Sequence, residues 1–115
     1  MDARTKEQMA LNEDVFRKIN ENVDLAALSH GRDQHRYDFF CECSDLSCVE
    51  RVHLTLDEYA FARADPARFV VVKGHVVGEV EHVVDRARDH VFVEKDGLAK
   101  RAAIELDEQT DPADE

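Results

Sequence analysis

The sequence predicts a small α+β domain with an antiparallel sheet and an N-terminal amphipathic helix. Two sequence patterns support this prediction. Near the start, an apolar residue recurs at every fourth position; later in the chain, short apolar runs are alternating or β-branched. The predicted order is helix, two strands, helix, three strands and helix, which is typical of an α+β domain. A length of 115 residues suits one domain, which we place at residues 1–107.

The first predicted helix covers roughly residues 5–29. Phe16 stands beside four apolar residues spaced by four, which form the stripe of an amphipathic helix: Leu11, Val15, Ile19 and Val23. Gly31 favours a helix end because it accepts the left-handed conformation, and His30 lies in the last turn near the negative end of the dipole. Residues 32–37 are expected to link this helix to the first strand.

The middle of the chain predicts a strand followed at once by a second helix. Across residues 51–56, Val52 and Leu54 alternate with polar residues, as in a half-buried strand. Thr55 and Glu58 have the spacing of a capping box, so a helix is expected over residues 56–64. Pro66 ends it, because proline disfavours helical geometry in the preceding residue.

Three more strands and a helix are predicted in the C-terminal half. Residues 68–73 form a continuous β-branched run and are expected to be a central strand. Two further strands are expected at 79–84 and 90–95, joined by a polar turn at 85–89. A closing helix is predicted over 97–107, followed by an acidic tail, residues 108–115, that we expect to be disordered.

The charge of the chain limits its partners. Fifteen basic and 26 acidic residues give a net charge of -11, and the last eleven residues contain six acids and no base. Such a chain repels phosphate backbones and anionic membranes, so a protein partner, which would fit best with a basic surface, is expected instead of nucleic acid. No apolar run approaches a membrane span or a signal peptide. With three cysteines, an odd number, this predicts a cytoplasmic protein.

All three cysteines lie within eight positions, in the spacing C-x-C-x4-C: Cys41, Cys43 and Cys48. Thiolates favour zinc or iron–sulfur clusters, and polar neighbours argue against the alternative of ordinary buried thiols. On a tetrahedral zinc, sulfur atoms lie roughly 3.8 Å apart, whereas residues i and i+2 of a strand are about 6.6 Å apart. The backbone must therefore curl at this point, and the residues between Cys43 and Cys48 favour a turn.

A structural zinc site needs a fourth ligand, and histidine is the expected type. His75 is preferred, because it follows Gly74 at the end of a predicted strand, where a flexible backbone can direct the imidazole at a neighbouring loop. His35, six residues before Cys41, is the second choice.

Residues 40–75, FCECSDLSCVERVHLTLDEYAFARADPARFVVVKGH, resemble a family of small uncharacterised bacterial proteins with the pattern FCEC…C…V.LT..EY…R.DP.RF.V…GH. The likeness covers about a third of the chain. The family's cysteines and Gly-His pair match Cys41, Cys43, Cys48, Gly74 and His75. The resemblance therefore implies a Cys3His site. It implies no function, because the family has no established activity. Lys73 stands where the family often has proline, so the loop here is expected to be less rigid.

The preferred function is a protein-interaction or regulatory module stapled by zinc, with the first helix either offering the contact surface or belonging to the core. A redox or metal sensor is the alternative, because zinc thiolates can be reactive. A zinc-dependent hydrolase is third. Three thiolates weaken the Lewis acidity of zinc, Glu42 between two ligands should point away from the metal, and no H-E-x-x-H or deaminase pattern is present.

Overall fold

The computed structural model describes residues 1–29, 31 and 34–108. Within them the chain forms three helices and five strands, in the order α1 Ala3–Leu28, β1 Tyr37–Phe40, β2 Arg51–Leu54, α2 Leu56–Arg63, β3 Arg68–Val72, β4 Glu81–Arg86, β5 His90–Lys95 and α3 Gly97–Glu108. The predicted α+β class and antiparallel pairing are confirmed. The strands form two sheets, β1–β2 and β3–β5–β4, instead of one.

Helix α1 begins and ends close to the predicted positions. The side chain of Asp2 caps its first turn, because its carboxylate accepts a hydrogen bond of 2.8 Å from the backbone N–H of Thr5. After the helix, Gly31 has a φ of +84° and donates its N–H to the carbonyl oxygen of Leu28. His30, Arg32 and Asp33 lie outside the described residues, and with them the predicted dipole contact of His30 and part of the predicted linker. Tyr37, assigned to that linker, is already in β1.

The interpretation that the every-fourth-residue stripe of α1 belongs to the core is wrong for three of its residues. Leu11, Val15 and Ile19 are 46%, 47% and 38% exposed. The buried side of the helix is instead largely polar, and its members are Ala10, Glu13, Asp14, Phe16, Arg17, Asn20 and Ala27. A helix can bury such a face when partners elsewhere in the fold satisfy each polar group.

Arg17 illustrates how the buried side of α1 is satisfied. Its side chain is 0% exposed and pairs with Asp14 on the same helix at 2.8 Å. The guanidinium also donates to the carbonyl oxygens of Pro66, at 2.7 Å, and Ala103, at 3.0 Å. One arginine therefore joins α1 to the segment before β3 and to α3.

The hairpin β1–β2 and helix α2 agree with the sequence pattern. Val52 and Leu54 are buried and alternate with exposed neighbours along β2. The capping box is confirmed: Thr55 Oγ1 accepts from Glu58 N at 3.1 Å, and Glu58 Oε1 accepts from Thr55 N at 2.8 Å. Helix α2 ends at Arg63, before the proline, as predicted.

Strand β3 is an edge strand of its sheet, so the prediction of a central position is wrong; β5 is central. The three middle residues of β3 are nevertheless almost fully buried, because the cysteine loop covers the free edge of this strand. Glu42 N donates to Val70 O at 2.8 Å, and Val70 N donates to Glu42 Oε1 at 3.1 Å. A covered edge strand has the same continuous apolar sequence as a central strand.

The C-terminal hairpin and helix follow the predicted order. Strands β4 and β5 pair antiparallel, with an irregularity between Val83 and Asp85, and β4 runs two residues beyond its predicted end into the expected turn. Helix α3 includes Glu108, the first residue of the predicted disordered tail. The remaining part of that tail, residues 109–115, lies outside the described residues.

Candidate metal centre

The cysteines occupy a curled loop that begins where β1 ends. Cys41 N donates to the carbonyl oxygen of Glu50 at 3.1 Å, so the two ends of the loop are joined. Inside it, Asp45 Oδ1 accepts from both the N–H and the hydroxyl of Ser47, at 2.9 and 2.6 Å, and Cys48 N donates to Asp45 O at 2.9 Å. These bonds form the turn that the Asp and Ser residues predicted, and the curl brings Cys48 back toward Cys41 and Cys43.

His75 reaches the same point from the other side of the loop. It lies in the turn after β3, where Gly74 has a φ of +91°, a conformation that L side chains rarely adopt. The backbone N–H of His75 donates to Val72 O at 3.0 Å. As a result the imidazole Nδ1 lies 3.5 Å from Cys41 Sγ and 3.8 Å from Cys48 Sγ.

The four residues of the preferred ligand set lie close enough to hold a metal ion. One ligand atom from each of Cys41, Cys43, Cys48 and His75 lies within 4.8 Å of all the others. Tetrahedral zinc requires sulfur atoms roughly 3.8 Å apart, so the group has a suitable size. His35 is not part of the group; its ring packs edge-on against Tyr37, with ring centres 4.6 Å apart.

Two further contacts orient the ligand atoms. Glu50 Oε2 lies 3.1 Å from Nε2 of His75, and a carboxylate there favours the tautomer with hydrogen on Nε2 and a free lone pair on Nδ1. Cys41 Sγ accepts a hydrogen bond of 3.2 Å from the backbone N–H of Val72. Sequence reasoning missed Glu50. Its position two residues after Cys48 was the available signal, because residues beside a ligand often support it.

The protonation of the thiols is coupled through their mutual contacts. A hydrogen bond from Cys41 is the main cause that lowers the pKa of Cys43, to about 5. The same hydrogen bond raises the pKa of Cys41, with burial adding to the effect, while burial raises the pKa of Cys48. The cluster therefore favours one thiolate sharing the protons of its neighbours. A bound cation would replace those protons, because metals bind the deprotonated sulfur.

Glu42 points away from the ligand group, as the sequence predicted. Its side chain is 0% exposed; Oε2 accepts from Asn20 Nδ2 at 2.9 Å and from the hydroxyl of Tyr59 at 2.8 Å. Oε1 accepts from Val70 N. Burial raises the pKa of this carboxyl group, and the three donors partly oppose that shift. Glu42 thus ties the beginning of the cysteine loop to α1, α2 and β3.

A second buried polar group joins α1 to the larger sheet. Lys95, 2% exposed, contacts the carboxylates of Glu13 on α1 and Glu81 on β4, both also buried. Burial is the main cause that raises the pKa of Glu13 to about 7, against the attraction of Lys95; the charges of Glu81 and Cys43 raise it further. Two carboxylates facing one ammonium leave excess negative charge in a buried place, so Glu13 tends to keep its proton.

Comparison with protein-family models, with curated proteins and with solved structures gives no match for this chain. The resemblance of residues 40–75 to a bacterial family therefore stays a prediction. Among the described residues, no helix combines the length and apolar character that crossing a membrane requires.

Proposed function

We propose that this chain is a small zinc-binding protein in which the metal fixes a loop used for contact with another protein. The observation that carries the proposal is the convergence of three sulfur atoms and one imidazole nitrogen within 4.8 Å. Three thiolates and one histidine form a donor set that favours zinc, and four protein ligands are the usual number at structural zinc sites.

A structural role is supported by where the site lies. Cys41 and Cys43 are almost completely buried, and four protein donors leave a tetrahedral ion no open position for a substrate. The carboxylate nearest in sequence, Glu42, is engaged by Asn20, Tyr59 and Val70 and so is not placed to activate water. Glu42 therefore cannot serve as the general base that a zinc-dependent hydrolase would need.

The contact surface that we propose is the outer side of the metal loop. Leu46 and Val49 are 54% and 78% exposed, although both belong to a segment whose backbone is fixed by turns and by the ligand cysteines. Apolar side chains displayed on a rigid loop lose little entropy when a partner covers them. The acidic character of the chain favours a partner with a basic rim around an apolar pocket.

Metal analysis and a binding comparison test this proposal. Freshly purified protein should contain about one zinc per chain, with X-ray absorption showing sulfur-rich tetrahedral coordination. Chemical cross-linking in cells, followed by mass spectrometry, should recover a partner with wild type and lose it with Leu46→Ser plus Val49→Ser. Val84→Ser, at an exposed site on β4, is the control. An iron–sulfur spectrum would exclude the zinc assignment, and a partner insensitive to the loop variant would exclude the surface.

A thiol sensor is the second candidate, and the exposure of Cys48 favours it. Cys48 is only partly buried, unlike the other two cysteines, so a small oxidant reaches its sulfur first. Peroxide would take two electrons from two thiolates, forming a disulfide between Cys48 and Cys41 or Cys43 and releasing the metal ion. Rapid zinc release at low peroxide dose, reversed by a thiol reductant, would favour the sensor; slow or irreversible release would favour the structural site.

A further inference from the structure

A cleft that the metal site does not use lies between the two sheets. Its volume is about 590 Å³, and it is lined on one side by β2 and on the other by the end of β3 and the turn that joins β4 to β5. Sites for small organic ligands typically enclose roughly 300–1,000 Å³. None of the four candidate metal ligands lines the cleft, although Glu50, which contacts His75, does.

Three arginine side chains line this cleft together with three carboxylates, in a chain that as a whole is strongly acidic. Arg36, Arg51 and Arg88 all line it, together with His53 and His90, in a chain whose net charge is -11. Guanidinium groups keep their charge at every physiological pH and offer five N–H donors in a planar fork. Three such groups around one concave space favour a ligand with a negatively charged, oxygen-rich group.

The guanidinium of Arg51 is held in place with most of its donors free. It lies over the ring of Phe40, 3.8 Å from the ring centre, and its Nη1 donates to the carbonyl oxygen of Val49 at 2.6 Å. Stacking on an aromatic ring fixes the plane of the group without using any of its N–H donors. A ligand that accepts from the remaining donors therefore pays little entropy to order this side chain.

Arg88 is the second donor and is exposed at the tip of the β4–β5 turn. Within the part of the chain that the structure describes, its side chain makes no hydrogen bond or ion pair. Beside it, His90 packs edge-on against Phe92, and burial lowers the pKa of this histidine. His90 is therefore neutral at pH 7, so its ring offers one donor and one acceptor to a ligand without adding charge.

Two of the three carboxylates in the cleft already have partners. Glu58 is held by the capping box with Thr55 and by Arg36, whose Nη1 lies 2.5 Å from Glu58 Oε1. The carboxylate of Glu50 lies 3.1 Å from His75 Nε2. Asp89 is exposed in the turn beside Arg88, and Glu50 keeps its negative charge because the imidazole that it contacts is neutral. The lining carries as many carboxylates as guanidinium groups, so the feature that favours an anion is the free N–H donors of Arg51 and Arg88 and not a net positive charge.

We propose that the cleft binds a small organic anion, whose phosphate or carboxylate group accepts hydrogen bonds from Arg51 and Arg88. Phosphate and carboxylate share the oxygen geometry that a guanidinium fork recognises. The volume of the cleft leaves room for an organic body beside the charged group. This inference goes beyond the proposed metal function and does not depend on it.

Titration of isotope-labelled protein, as purified, with three probes, followed by nuclear magnetic resonance, tests the cleft. Ribose 5-phosphate and succinate represent the two kinds of anionic group, and uncharged ribose is the control at the same ionic strength. At least one anion should shift the signals of Arg51 and Arg88 in a saturable way, whereas ribose should not. Saturation by ribose 5-phosphate alone would assign a phosphate group, and by succinate alone a carboxylate. The proposal would be overturned if neither anion produced saturable shifts.

Substitutions at the cleft separate a site from general attraction between charges. Arg88→Gln and Arg51→Gln should each raise the dissociation constant at least about fivefold, whereas Arg4→Gln, the same change on α1, should leave it unaltered. Asp89→Asn should lower the dissociation constant, a gain that misfolding cannot produce, while Glu7→Gln on α1 should have no effect. Equal effects of the cleft and control variants would exclude the site.

Zinc content, measured on every variant, keeps this test distinct from that of the metal centre. If Arg88→Gln loses anion binding but retains one zinc per chain, the loss is due to the cleft and not to the metal centre. Loss of zinc in the wild type would concern only the metal proposal.

Discussion

The imidazole of His75 connects the thiol cluster to the carboxylate of Glu50. Nδ1 faces Cys41 and Cys48, whereas Nε2 lies 3.1 Å from Glu50 Oε2. Glu50 also accepts, through its backbone oxygen, the N–H of Cys41. Glu50 therefore supports two members of the ligand group, His75 through its side chain and Cys41 through its main chain. A substitution of the side chain should affect metal affinity through His75 alone.

Replacing Glu50 by alanine should weaken zinc binding by about 10- to 100-fold, because the histidine loses the group that fixes its tautomer and increases its basicity. The backbone bond to Cys41 remains in this variant, so the fold should be preserved. Competition with a chromophoric chelator gives the affinity. Glu7→Ala, which removes an exposed carboxylate of α1, should bind zinc like the wild type; an unchanged affinity for Glu50→Ala would contradict the assigned role.

His75→Ala should lose most of its zinc during purification, whereas His35→Ala should retain about one equivalent per chain. The reason is that only His75 belongs to the ligand group, and loss of a structural metal is among the strongly destabilising changes. Metal content by mass spectrometry and thermal unfolding provide the two measurements. Equal zinc content in both variants would mean that another donor or a water molecule completes the site.

Arg17→Ala should lower the free energy of unfolding by about 3–5 kcal/mol. The change leaves the carboxylate of Asp14 without its buried partner and removes the donors to the carbonyl oxygens of Pro66 and Ala103. Arg4→Ala, at an exposed position of the same helix, should change stability by no more than about 0.5 kcal/mol. Urea unfolding measures both; similar stabilities for the two variants would show that the buried arginine is not needed.

The stability of the fold should decrease as the pH rises from 4.5 to about 7 through the contribution of Glu13. Its pKa is raised from 4.5 to about 7, mainly by burial, with the charges of Glu81 and Cys43 adding to the shift and Lys95 opposing it. The native state therefore holds a proton that the unfolded state has released, so raising the pH through this window favours unfolding by up to about 3 kcal/mol.

Glu13→Gln should remove this dependence, since the amide does not titrate. Urea unfolding of zinc-saturated protein at several pH values should show that the difference between wild type and Glu13→Gln grows with pH. Glu7→Gln is the control on the exposed side of α1. Curves for wild type and Glu13→Gln that remain parallel would disprove this role of Glu13.

The elements that the sequence predicted well are those defined by nearby residues. The capping box of Thr55 and Glu58, the stop at Pro66 and the alternation along β2 each depend on neighbours within a few positions. The cysteine loop belongs to the same class, because a spacing of two and five residues limits how far apart the thiols can lie. His75 was preferred for the glycine before it, a local signal for a turn.

The orientation of α1 and the place of β3 depended on distant residues. Glu13 is buried because Lys95, 82 positions later, contacts it, and Asn20 is buried because Glu42 accepts its amide hydrogen. Periodicity weighs residues by polarity alone, so it favours the apolar side of the helix as the core side. For β3, the pattern correctly indicated burial on both faces; it could not show that a loop, instead of a strand, covers one edge.

If the proposed metal is bound, the bonds from the cysteine loop to β3 give it a second consequence, in the solubility of the protein. Glu42 and Cys41 occupy backbone groups of Val70 and Val72 that would otherwise face a neighbouring strand. If the loop detached after chelation, the segment Arg68–Val72 would present an open edge with a β-branched apolar row, which is a template for pairing between chains. Metal starvation would then convert a dispersed protein into aggregates, so a bound ion would also keep β3 from pairing with the same strand of another chain.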